Sequence, residues 1–325
     1  MKNQKVVRRY LLIPLCFIGL LFVPGMLSSY DTHVVMLGLL TAIFALSLNF
    51  TLGYVGQPNF GQAALFGFGA YVGSIASTKL GLPFGVSLLA SVIGSVVVGF
   101  FIGYISLQLR GAYFCMVTIA IGQVFLLLSG NLVKLTGGPM GITGVGGPQM
   151  FGLSERNTLW VLSILLLALT IWLTWKLERS VIGRAWVAIR ESETLSLSLG
   201  IDAFRYALLA YIIGAIFAGA TGAIYAHYLG FIDPTIFAFS WSSSAVVSVA
   251  IGGRGTILGP IIGGLMVTLL PEYFRVVALW RRPLFGLILI LIIVFQPRGL
   301  IGLSTYIKGK SKELLKTLKE GRALL

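Results

Sequence analysis

Charge is what this sequence has least of: Asp, Glu, Lys and Arg together make up 10% of the 325 residues, and only 10 of them are acidic. Ordinary soluble domains carry about 25% charged residues, and a globule with so few could not cover its surface. Lipid asks for no such cover, because a helix satisfies its own backbone polar groups. The 57% hydrophobic content and mean hydropathy of +0.95 agree, so a soluble fold is excluded and an all-α, polytopic membrane bundle is indicated. Histidine is nearly absent too. His33 and His227 belong to no metal-ligand spacing and are read as interfacial side chains. Cys16 and Cys115 sit in separate apolar runs, neither a redox pair nor a metal site, and are read as packing residues.

Acids are missing from the centre of every apolar run, which removes the intramembrane carboxylates that commonly carry protons or sodium in secondary transporters. The net charge of +14 would suggest a nucleic-acid partner in a soluble protein; in a membrane protein it reflects basic cytoplasmic loops, and nucleic-acid binding is rejected.

With about 20 residues needed per span, apolar runs fall near 10–27, 34–52, 60–78, 84–107, 112–129, 159–176, 206–229, 236–252, 256–271 and 284–303. The first follows Lys2, Lys5, Arg8 and Arg9 like a signal peptide, but no small-x-small cleavage site follows it, so it reads as a retained span. An even number of crossings returns the basic tail at 304–325 to the side of the basic N-terminus, placing both termini in the cytoplasm. The short pair 236–252 and 256–271 could also be a re-entrant hairpin, so the range is eight to ten spans. The whole chain, 1–325, reads as one transmembrane domain.

Two places interrupt the apolar pattern. One is Gly53-Tyr54-Val55-Gly56-Gln57-Pro58-Asn59-Phe60-Gly61-Gln62; the other is Gly252-Gly253-Arg254-Gly255-Thr256-Ile257-Leu258-Gly259-Pro260, preceded by a serine-rich run. Irregular backbone at membrane depth survives only against protein or a watery cavity, and paired interruptions in the two halves of a chain point to a transport pathway. Gln57, Asn59, Gln62, Ser243, Ser244 and Ser248 are therefore expected to face that pathway. The competing reading makes both segments tight cytoplasmic turns with small residues for close packing.

Catalytic groupings, cofactor sites and metal sites are not found. Gly309-Lys310-Ser311 resembles the end of a phosphate-binding loop, but Ser304 stands where its first glycine is required, so no ATP site is read here. Energy must then come from another subunit. The loop 177–205 carries more charge than any other between helices, and as one continuous helix it puts Ala185, Ala188, Ile189, Leu195 and Leu199 on a stripe opposite Arg190, Glu193 and Thr194, with Trp186 and Leu197 intruding on the polar face. Docking to a cytoplasmic partner is expected, with Arg184, Arg190, Glu191, Glu193 and Gly200 at the coupling site; a helix in the headgroup layer is the alternative. The long segment 130–158, with Pro139, Pro148 and many glycines, is expected on the outside, folded over the outer mouth or meeting a further protein.

Four segments carry a family resemblance: Leu109-Arg110-Gly111-Ala112-Tyr113-Phe114, Thr136-Gly137-Gly138-Pro139-Met140-Gly141-Ile142, Gly183-Arg184-Ala185-Trp186-Val187-Ala188-Ile189-Arg190-Glu191, and the Gly252 to Pro260 segment. Together, in this order from about 46 to 303, they resemble the permeases of branched-chain amino acid ABC transporters, of the LivM-like branch. The resemblance implies a bacterial inner-membrane importer with two related permeases, two cytoplasmic ATPases that bind the ATP, and a periplasmic substrate-binding protein. It also implies that the segment 183–200 is the part inserted into an ATPase. Other readings are a urea or short-amide permease, or a channel or secondary transporter acting alone.

Overall fold

The computed structural model describes residues 27–149 and 154–273, with Gly286, Gly299 and Leu300. The expected spans 10–27 and 284–303, apart from Leu27, Gly286, Gly299 and Leu300, lie outside the described residues, as do the tail 304–325 and Cys16.

Eleven α-helices are described, and α1 is Ser29–Asn49. It is capped where Ser28 Oγ accepts from the Asp31 backbone N–H and runs on through a π-helical turn at Phe50–Val55. Helices α2 (Gln62–Thr78), α3 (Phe84–Ser106) and α4 (Ala112–Asn131) follow, then a short α5 (Val133–Thr136), α6 (Glu155–Glu178), α7 (Val181–Glu191), α8 (Glu193–Ser198), α9 (Ala203–Leu229), α10 (Phe239–Gly252) and α11 (Leu258–Tyr273). Among the described residues five helices are long and apolar enough to cross a membrane, the α1 unit Ser29–Val55 and α3, α4, α6 and α9. The polytopic all-α reading holds.

Asn49 bonds Thr256 just before α11, while Tyr30, at the far end of α1, bonds Glu272 at the far end of α11, so the two helices run antiparallel. Helices α10 and α11 are apolar but shorter than the five span candidates. Ahead of α10 the chain descends through a strand at Phe231–Ile232 and a 3-10 turn at Pro234–Phe237, whose Ile236 and Phe237 are buried. That irregular backbone is covered by protein, as lipid requires.

The core sits between α1, α2, α3 and α9, where small residues bring backbones together. A Cβ on Gly222 would lie 2.0 Å from the Phe66 carbonyl oxygen, and one on Gly219 would lie 2.2 Å from Ser95 Oγ. The Phe66 oxygen is backbone and cannot swing aside. Gly222→Val is therefore expected to destabilise by about 1–3 kcal/mol or more, read as a lower melting midpoint in detergent, whereas an unchanged midpoint would refute the close approach of α2 and α9.

The segment 130–158 is ordered where described, not a plain linker. Thr136 Oγ1 donates to the Ser129 and Leu132 carbonyls and accepts from Gly138 N–H, and Ile142–Thr143 pairs antiparallel with Phe231–Ile232. His227, in the last turn of α9, is buried beneath Phe84 at 4.9 Å with Nδ1 2.8 Å from the Ala223 carbonyl.

Candidate functional site

The two interrupted segments meet. A Cβ on Gly53 would lie 2.5 Å from the Gly255 nitrogen, so the π turn of α1 and the loop between α10 and α11 touch through backbone. Asn49, one turn before Gly53, fastens them: its Nδ2 donates to the Thr256 carbonyl at 2.9 Å and its Oδ1 accepts from the Gly255 N–H at 3.1 Å. Thr256 Oγ1 donates to the Gly253 carbonyl and accepts from Gly259 N–H, capping the start of α11. Gly56, at φ +85°, ends the π turn in a left-handed conformation that suits glycine.

Helix α7 lies against this joint. Trp186 is buried edge-on to Phe50 at 6.1 Å and packs on Tyr54, and its Nε1–H donates to the Tyr206 carbonyl at 2.8 Å. Arg190 crosses to the joint, with Nη1 donating to the Gly53 carbonyl at 3.0 Å and Nη2 paired with Glu191 at 3.1 Å. Its Nη1 would lie 2.6 Å from a Cβ on Gly255, and its Cγ 2.8 Å from one on Gly56. One side chain of α7 thus touches both interrupted segments.

The single-helix reading of 177–205 needs correction. Ser192 leaves helical geometry at φ −161° and ψ 111°, its Oγ accepts from Leu195 N–H, and α8 begins there. The turn rotates the stripe: Ala185 and Ile189 stay buried with Gly183 and Trp186, while Leu195 and Leu199 are 61% and 71% exposed. Arg190 and Glu193 likewise leave the outward polar face expected of them. Arg190 is 32% exposed and turned to the bundle, and Glu193 pairs with Arg110 at 2.9 Å. Arg184 and Gly200 are exposed, as is Glu191 at 72%.

The six expected pathway residues differ in their surroundings. Asn59 and Gln62 are buried and satisfied: Asn59 Nδ2 donates to Gln62 Oε1 at 3.0 Å, and Gln62 Nε2 donates to Ser47 Oγ at 2.9 Å and the Gly214 carbonyl at 3.3 Å. Neighbouring helices supply the partners that water was expected to give. Ser248 is buried with its hydroxyl on the Ser244 carbonyl. Gln57 is half-buried, and its Oε1 has no partner among the described residues. Ser243 is half-exposed. Ser244 lines a cleft of about 260 Å³ between α1, α10 and α11, with Thr41, Ser240, Thr268, Phe44, Phe66 and Trp241. The Thr41, Ser244 and Thr268 hydroxyls donate to their own helices, so they present oxygen acceptors within a mostly apolar wall. Asn49, Ser47 and Ser242, which caps α2 by accepting from Ala63 N–H at 2.9 Å, were not singled out in the sequence. A lone amide inside an apolar run was the available signal for Asn49.

All described acids lie at or beyond helix ends, from Asp31 in the first turn of α1 to Glu272 near the end of α11. Basic residues Arg110, Lys176, Arg179, Arg184, Arg190, Arg205 and Arg254 gather at the α7 end of the bundle, against Lys79, Lys134 and Arg156 at the other.

The chain is 29% identical over 303 residues to the high-affinity branched-chain amino acid transport system permease protein LivM of Salmonella typhimurium, covering 86% of this chain and 71% of that one. It is 29% identical over 302 residues to LivH of Escherichia coli, covering 82% and 93%, and 28% identical over 288 residues to BraD of Pseudomonas aeruginosa, covering 80% and 91%. Residues 32–296 match the profile of the branched-chain amino acid transport system permease component, and the chain belongs to that family of membrane transport proteins.

Proposed function

We propose that the chain is one permease domain forming half of the translocation pathway of an ATP-driven importer for branched-chain or other small apolar amino acids. The observation that carries this reading is Arg190, which ties an exposed helix to both interrupted segments. A chain with no nucleotide motif takes up work mechanically, and α7 is placed to pass it on. Two ATPases would dock on α7 and α8, where Val181, Leu195 and Leu199 are uncovered. They would carry the ATP; the chain itself binds no cofactor. The excess of Lys and Arg at the α7 end makes that end cytoplasmic, in a bacterial inner membrane, and puts both termini on that side.

A second permease, a paralogue, completes the pathway, and a periplasmic binding protein delivers substrate near the folded segment 130–158. The apolar cleft beside Ser244 suits a small apolar amino acid: its wall offers hydroxyl oxygens to an ammonium and carries no charged side chain. Gln57 and Ser243 extend the polar surface, while Asn59 and Gln62 tie neighbouring helices together.

The test is ATPase activity of the assembled complex in lipid discs. Leucine, isoleucine and valine with the binding protein are expected to raise it. Stimulation by urea or short amides alone would move the substrate class. Amino-acid uptake by vesicles holding only this chain, without ATP, would overturn the importer reading.

A further inference from the structure

We infer that the ion pair Arg110–Glu193 is a second coupling contact, through which α8 moves the start of α4 and the Pro58–Gly61 stretch that α4 holds; this rests on the proposal that ATPases dock on α7 and α8. Arg190 of α7 reaches one end of the first interrupted segment, at Gly53 and Gly56. The other end belongs to α4. Thr118 Oγ1 accepts from Phe60 N–H at 3.3 Å, the Cys115 thiol donates to the Pro58 carbonyl at 3.5 Å, and a Cβ on Gly61 would lie 3.0 Å from the Thr118 carbonyl oxygen. These contacts all fall near the start of α4.

Arg110 stands just ahead of that helix. Gly111, at φ +56°, turns the chain into α4, and Arg110 Nη2 meets Glu193 Oε1 at 2.9 Å. Glu193 is the first residue of α8, and within α8 only Ser196 is buried, so this helix has few other ties to the bundle. Ser192, extended at φ −161°, separates α8 from α7 and gives the two helices a pivot. Each then holds its own end of one segment: α7 the π turn, α8 the stretch 58–61 by way of Arg110. A purely structural role suits the pair poorly. Arg110 is 69% exposed, and an ion pair that open to water adds little to stability. Its value lies in the two elements it joins, unlike Arg205–Asp202, which lies within a single helix start.

The experiment measures uptake per ATP hydrolysed by the whole complex in proteoliposomes, with the melting midpoint of each variant as a check on folding. Arg110→Ala and Glu193→Ala are each expected to lower the ratio about threefold at a parent-like midpoint. The double variant should fall no further than either alone, and exchanging the charges, Arg110→Glu with Glu193→Arg, should restore most of the ratio. Arg205→Ala should leave it unchanged. With Cys16 replaced by alanine, labelling of Cys115 by a maleimide, followed on its peptide by mass spectrometry, should differ in rate with and without a non-hydrolysable ATP analogue. That difference should disappear in Arg110→Ala. An unchanged ratio in both single variants, additive losses in the double variant, or a parent Cys115 rate indifferent to nucleotide would overturn the assignment. Uptake by the parent complex without ATP would instead remove the importer reading beneath, and it would show before any substitution is made.

Discussion

Arg190→Ala is expected to leave the permease folded and bound to its ATPases while uptake per ATP hydrolysed falls about tenfold. The guanidinium makes one bond to the Gly53 carbonyl and packs beside Gly56 and Gly255, so its loss frees α7 from both interrupted segments without opening the core. A hydrogen bond to a charged group is worth about 1.5–3 kcal/mol. With 32% of the side chain in water, the lower figure applies, equivalent to roughly a tenfold change in the population of the coupled state. Transport per ATP should fall by about that factor, while ATPase turnover stays within roughly twofold of the parent. Arg190→Lys, with one ammonium in place of a fork, should fall between. Glu191→Ala should do less, since that carboxylate is 72% exposed and touches the joint only through Arg190. Arg184→Ala serves as the contrast: an exposed residue on the outer side of α7 should weaken ATPase association and leave the coupling ratio of the remaining complexes intact. Equal uptake per ATP in Arg190→Ala and the parent would place α7 in the headgroup layer, outside the coupling route.

Apolar run length made the spans legible, because hydrocarbon thickness sets a period that few other pressures imitate. The runs at 84–107, 159–176 and 206–229 correspond to α3, α6 and α9. The joint was legible only in pieces. Both interruptions stood out by glycine and polar content, yet nothing in their spacing says that Gly53 and Gly255, separated by most of the chain, share a backbone contact. The π turn that carries Gly53 has no residue signature of its own. The start of α8 did have one: Ser192 followed by Glu193 is an N-cap with an acid in the first turn. Plotting a single helix through it misplaced Leu195 and Leu199. The amides of Asn59 and Gln62 were recognised as too costly for lipid, but sequence cannot distinguish a watery cavity from a partner such as Ser47 on another helix.

Asn49→Leu is the substitution expected to damage the joint most directly. The side chains are close in size, so the change removes hydrogen bonds without leaving a large void. In the parent the amide is fully buried and satisfies two backbone groups of the loop before α11, the Thr256 carbonyl and the Gly255 N–H. Leucine leaves both without their partner in a site walled by Gly53; both bonds are part-buried, so each orphaned group costs about 1 kcal/mol, the low end of the usual range, and the loss is about 2 kcal/mol. The loop has an alternative to unfolding: it can lift away from the π turn, carrying with it the Thr256 cap on α11. Two readouts separate these outcomes. A lower melting midpoint with loss of transport is the expected result, accompanied by rapid labelling of a cysteine placed at Thr256 by an aqueous thiol reagent. Asn49→Asp keeps the acceptor for Gly255 and loses the donor to Thr256, so it should retain part of the contact and report which bond holds the loop. A parent-like midpoint, labelling rate and transport rate in Asn49→Leu would show that the two interrupted segments move independently, and the route from Arg190 to α11 would be broken.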